Sequence, residues 1–228
     1  GRGAVSIADG TPISAEYIKE QGTKVGLGSH LIAIVAEDKR GRIYLSPNKE
    51  HLALSFVEKP EDVPDQELPY VPRNVWTPQY GLKKFSDLFT NRQLVALAAL
   101  SDLVSEARDK VLEDAKAAGL SLGERLEDGG IGAEAYADAV ATYLALGVSR
   151  TADYCNALCT WNNARDTVAH LFIRQAIPMA WDYIESNIFS DSSGNFFGQL
   201  KWIIKALQRV PALAKGEARQ VSALNRKY

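Results

Sequence analysis

The sequence predicts an α+β chain, mostly α-helical after residue 80, with a small β-hairpin in its amino-terminal part. Three observations carry this reading. The run LIAIVAEDKRGRIYLSP has the apolar, turn, then alternating pattern of a hairpin. Beyond Tyr80 two long stretches repeat apolar residues at helical spacing. Between these regions, from Lys59 to Pro78, five prolines and several acids make an extended connector.

Taken in order, Ser14 is placed to cap a short helix that runs through Gln21 and ends at Gly22. The hairpin sets Leu31–Ala36 against Ile43 and Leu45 across a charged turn that contains Gly41. Residues 47–58 read as a second short helix with Pro47 in its first turn. The connector divides the chain into a small α+β part over 1–80, a helical domain over 81–211 and a basic tail over 212–228.

In the helical part, Thr90 and Gln93 have the capping-box spacing, in which hydroxyl and amide each satisfy an orphan backbone N–H. Leu94, Leu97, Leu100, Val104, Ala107, Val111 and Ala115 then hold a helical period to Gly119. A second long helix is marked by Tyr136, Val140, Tyr143, Leu144, Gly147 and Val148, and continues through Cys155 to Leu158. The Gly-rich, acidic SLGERLEDGGIGAE between them reads as a mobile loop. A third helix is expected over Thr167–Ser186, kinked where Pro178 removes one bond and frees the Arg174 carbonyl. A fourth, Phe196–Arg209, starts at Ser193 or Asn195 as cap and stops at Val210-Pro211.

With 228 residues, 46% of them hydrophobic, the chain can bury one core, or a core and a smaller lobe. A net charge of −2 argues against a free-standing, strongly basic nucleic-acid binder. The charge is unevenly spread: Ser101–Val140 holds ten acids against four bases, Lys201–Tyr228 seven bases against one acid. This reads either as solvated helix faces with a loose tail, the blander choice, or as a basic end turned toward DNA. No apolar run approaches the roughly 20 residues of a membrane span, and GRGAVSIADG lacks a signal-peptide core, so a cytoplasmic location is the default. Cys155 and Cys159 read as small buried apolar residues.

Chemistry-bearing motifs are missing. There is no phosphate loop, no G-x-G-x-x-G, no H-E-x-x-H, no Cys/His cluster at zinc spacing and no G-x-S-x-G elbow. His30, His51 and His170 stand far apart without a nucleophile at local spacing. No catalytic residue is assigned.

The strings GTPISAEYIKEQG, YGLKKFSDLFTNRQLVALAALSDLVSEARDKVL, AYADAVATYLALGVSRTADY and RQAIPMAWDYIESNIFSDSSGN occur in this order. In them the chain resembles an internal region of the large prokaryotic adenine-specific DNA methylases that carry an embedded zinc ribbon. The resemblance implies a parent enzyme that transfers a methyl group from S-adenosylmethionine to the exocyclic amine of adenine in DNA, in a restriction-modification or phage-defence setting. In that family a glycine-rich cofactor motif precedes this region and an Asp-Pro-Pro-Tyr catalytic motif follows it. No Pro-Pro dipeptide occurs here. The chain is therefore expected to be the insertion between the two halves, inactive alone, partnered by DNA through the parent and by the rest of the methylase polypeptide. The family also carries a Cys-x-x-Cys just before its Gly-(Ser/Thr)-Pro; Ser6 and Asp9 stand at those positions, so no zinc is expected.

On this reading the candidate DNA contacts are Arg165, Arg174, Gln175, Lys201, Lys205 and Arg209, because arginine and lysine bind phosphates and glutamine reads adenine edges. Trp161 and Trp181 are candidates for stacking on an extruded base. The competing reading, favoured for the 161–195 run, makes Phe172, Ile177, Met179 and Trp181 core and Arg174–Asp182 a helix-closing pair. FSDSSGN reads as an anion-binding turn or simply as a turn. A function of another class is a non-enzymatic helical module that docks a partner protein through its acidic helices. A stand-alone hydrolase lacks a legible nucleophile and base.

Overall fold

The computed structural model describes residues 3–39, 41–173 and 175–210. Among them, five α-helices and three two-stranded antiparallel sheets make an α+β chain. No helix among the described residues is long and apolar enough to cross a membrane.

Strands β1 (Ala4–Val5) and β2 (Pro12–Ile13) form the first sheet, and α1 (Ala15–Lys24) follows. The Ser14 hydroxyl caps α1 by accepting from the Tyr17 N–H at 3.1 Å. Gly22 does not end the helix as expected; it lies inside α1 and is buried. A methyl group there would fall on the Tyr80 carbonyl, and one on Gly81 (φ +93°) would fall on the Gly22 carbonyl. Two glycines thus let α1 dock backbone to backbone on the 3-10 turn Thr77–Tyr80.

The expected hairpin is present as β3 (Ile34–Asp38) and β4 (Gly41–Leu45), with Asp38 opposite Gly41. Helix α2 (Lys49–Ser55) is capped by Asn48, so Pro47 precedes the helix rather than entering its first turn. The connector forms no α-helix, yet it is not detached. Leu68 and Val75 are buried with Leu88, Leu158 and Leu171, and Val75 bridges to Ile177.

Helix α3 (Asn91–Ala117) begins with the expected capping box: Thr90 Oγ1 accepts from the Gln93 N–H, and Gln93 Oε1 from the Thr90 N–H. Helix α4 (Ala133–Ala152) stops before the expected Leu158. There the Asn156 amide donates to the carbonyls of Ala152 (2.8 Å) and Asp153 (3.2 Å), and its oxygen accepts from the Leu158 N–H. Side-chain bonding to local backbone replaces the next helical turn. The α3–α4 segment, expected to be mobile, folds back on itself through Ala133 N–H to Ser121 O (2.8 Å) and Gly130 N–H to Arg125 O (2.9 Å).

The expected third helix over Thr167–Ser186 is not formed, and Pro178 kinks nothing. In its place stand a hairpin of β5 (Thr160–Asn162) and β6 (Thr167–Ala169), a 3-10 turn at Leu171–Ile173 and an irregular stretch. The backbone donors have gone to distant partners: Phe172 to the Asp153 carboxylate (2.9 Å), Leu171 to the Asp153 carbonyl (2.9 Å), Ile177 to Asn74 O (2.8 Å) and Ile184 to Cys159 O (2.8 Å). Helix α5 (Phe196–Leu207) starts where expected and ends two residues before the expected Arg209, with Asn195 Oδ1 accepting from the Gly198 N–H at 2.7 Å. A second small core of Leu100, Cys155 and Ile188, with Val148 and Phe196 against it, joins α3, α4 and α5. The 212–228 tail lies outside the described residues.

Candidate nucleic-acid interface

Helix α5 has one face to bury and one to show. Phe196 and Leu200 close over Gly147 of α4, where any side chain would meet the Leu200 methyl group. Gln199 is buried on the same side. A period of 3.6 then turns Lys201 and Lys205 outward, with Arg209 in the turn that follows, and all three are exposed. Trp202, 58% exposed, lies beside them with the Lys205 ammonium 4.7 Å from its ring centroid. No acid occurs from Ser192 to Val210, and none of the described residues forms an ion pair with these three cations. A cationic ridge without counter-charge and with an aromatic margin is suited to a phosphate backbone.

A second cluster forms where the hairpins meet. Tyr44 of β4 donates its hydroxyl proton to Asp166 Oδ1 (3.1 Å) and accepts from Trp161 Nε1 (3.2 Å). The Tyr44 and Trp161 rings stand edge to face, and the Arg42 guanidinium lies 5.7 Å from the Trp161 centroid. Arg165 is exposed in the β5–β6 turn beside Asp166, which has φ +46°. Trp161 is half-buried and held by these partners, so its indole is fixed rather than free to swing.

The remaining candidates are scattered. Gln175 is exposed on the irregular stretch. Trp181, expected on the competing reading to be core, is 58% exposed and stands edge-on to Tyr80 at 5.1 Å. Phe172 is likewise exposed. Arg174 lies outside the described residues, and with it the Arg174–Asp182 pair. The structure therefore brings together Lys201 and Lys205 on α5 with Arg209 in the turn after it, and Arg165 with Trp161 in the second hairpin. Arg42 and Tyr44 were missed by the sequence reading. Their i, i+2 spacing puts both on one face of β4, but nothing local pairs that face with Trp161.

No reactive constellation appears among the described residues. His170 Nδ1 is 2.9 Å from the Asp153 carboxylate, which also accepts from Phe172, and no hydroxyl or thiol is hydrogen-bonded to the ring. Burial pushes the thiols of Cys155 and Cys159 up to about 12 and about 11. The donor set at the ribbon positions does not fit zinc. Ser6 offers only a hydroxyl, and the Asp9 carboxylate already accepts from the Thr11 N–H at 3.1 Å. The Ser6 hydroxyl and Thr11 amide hold that carboxyl below its ordinary range. No group of three His, Cys, Asp or Glu converges among the described residues.

Compared with protein-family models, with curated proteins and with solved structures, the chain matches none.

Proposed function

We propose that this chain is a DNA-positioning and bracing region of a cytoplasmic S-adenosylmethionine-dependent adenine-specific DNA methyltransferase, and that it performs no methyl transfer itself. The observation that carries this reading is the α5 ridge, Lys201, Lys205 and Arg209, cationic and uncompensated among the described residues. Arg165 at the tip of the second hairpin is a further phosphate contact. The four ordered sequence blocks that resemble the methylase family supply the parent activity. The chain's own residues hold the DNA, while methyl transfer belongs to motifs it does not contain.

The bracing role is supported by exposed surface. Ile7, Phe56, Tyr70, Ile173 and Phe189, all more than two-thirds exposed, contribute to it. Such apolar area is what the rest of a methylase polypeptide would cover.

The test is fluorescence anisotropy of a labelled duplex titrated with the wild-type chain and with K201E/K205E. Binding by the first and loss of most of it in the second is expected. Equal binding by both would remove α5 from the interface.

A further inference from the structure

The outward faces of α5 and α3 are complementary in charge and in spacing. Lys201 and Lys205 on α5 and Arg209 in the turn after it recur at i, i+4 and i+8, a short row of exposed cations. On α3, Asp102, Glu106, Asp109 and Glu113 recur at i, i+4, i+7 and i+11, one acid per turn over about 16 Å. All seven side chains are exposed. Among the described residues Asp109 lies 3.7 Å from Arg108 and Glu113 acts at longer range on Lys110, while Asp102, Glu106 and Glu113 form no ion pair. Apolar residues border both ridges: Val95 and Leu103 on α3, Phe197, Trp202 and Ile204 on α5, from 42% to 67% exposed.

These two ridges cannot meet within one chain. Helix α4 is packed against both helices, by Arg108 on the α3 side and by Gly147 under Leu200 on the α5 side. Each ridge faces away from that junction. The occupant that matches the α5 ridge in sign, spacing and apolar border is therefore the α3 ridge of another molecule.

We propose that α5 docks on α3 of a second copy of this chain, so that the protein self-associates through reciprocal α3–α5 contacts. Exposed charges dominate the contact, so it weakens as salt screens them. The same three cations are the ones assigned above to DNA. Self-association and DNA binding therefore exclude each other at α5, and DNA releases the assembly. This last clause rests on the DNA reading; the self-association does not.

The experiment needs no DNA. Light scattering behind a sizing column is run at about 50 mM and about 500 mM salt. Compared are the wild type, the acid-ridge variant D102K/E106K/E113K, the basic-ridge variant K201E/K205E/R209E, and an equimolar mixture of both variants. The expected result is a mass of two chains or more for wild type at low salt and one chain at high salt. Each variant alone is a single chain, and the mixture re-associates because each supplies the ridge the other has lost. Re-association also shows that both variants are folded. A wild type of one chain at low salt, association that survives high salt, or a mixture that stays apart would each overturn the proposal.

Discussion

Arg108 and Asp138 meet at 2.7 Å across the α3–α4 interface, and Arg125 closes on the same carboxylate from the intervening loop at 2.9 Å. Leu126 N–H adds a third direction at 3.1 Å, while Arg108 reaches on to Glu134. One buried acid therefore fastens two helices and the loop between them. This explains why SLGERLEDGGIGAE is folded back rather than loose.

Asp138→Asn is expected to lower the thermal midpoint by several degrees, because both arginines lose their shared anion. Arg125 first, then Arg108, hold the Asp138 carboxyl well below its ordinary 3.8, against the opposing effect of burial. A depressed carboxyl contributes stability that is fully present above 3.8 and is lost as pH falls through its lowered folded value. Melting curves of both proteins from neutral to acid pH check this. The gap should stay constant at neutral pH and narrow only below about 3.8.

Gly22→Ala tests the α1 joint. In an unconstrained helix the change would stabilise by up to about 1 kcal/mol. Here the added methyl falls on the Tyr80 carbonyl, and a net loss of about 1–3 kcal/mol is expected from urea unfolding. A gain in stability would mean that α1 does not dock on the turn at Thr77–Tyr80.

Tyr44→Phe removes the hydroxyl shared by Trp161 and Asp166. A cost of about 0.5–1.5 kcal/mol is expected. The near-ultraviolet circular dichroism of the indoles should weaken as Trp161 loses its fixed orientation. An unchanged spectrum would show that the hairpins are not fastened there.

Cys155 and Cys159 should resist a thiol reagent at neutral pH in the folded protein and react once it is unfolded, since burial keeps both protonated. Labelling followed by mass spectrometry with and without urea checks it. Rapid native labelling would contradict their burial.

The helix caps are legible in the sequence, whereas some helix ends and the non-local contacts are not. Thr90 with Gln93, Ser14 and Asn195 act within three residues, so each cap is visible in the string. The hairpin at β3–β4 is equally local. The segment 167–186 failed because its apolar spacing suits a helix while its backbone donors are taken by Asp153, Asn74 and Cys159. Those partners are from 18 to 103 residues away, and no periodicity reveals them. Helix α4 ends early because the Asn156 side chain bonds the local backbone of Ala152, Asp153 and Leu158, which a count of apolar positions ignores. Of the candidate site, the α5 cations were legible from spacing alone. The Arg42–Tyr44–Trp161 contact was not, because it joins strands more than 110 residues apart.

The most direct test of the central claim is the salt dependence of duplex DNA binding by the whole chain. Three phosphate contacts from Lys201, Lys205 and Arg209 give a slope of log affinity on log salt of about −2.7, with Arg165 adding about −0.9. Reversing the three α5 charges should abolish the larger part. An affinity that ignores salt, or a slope unchanged by K201E/K205E/R209E, would contradict the assignment of this chain to DNA positioning through α5.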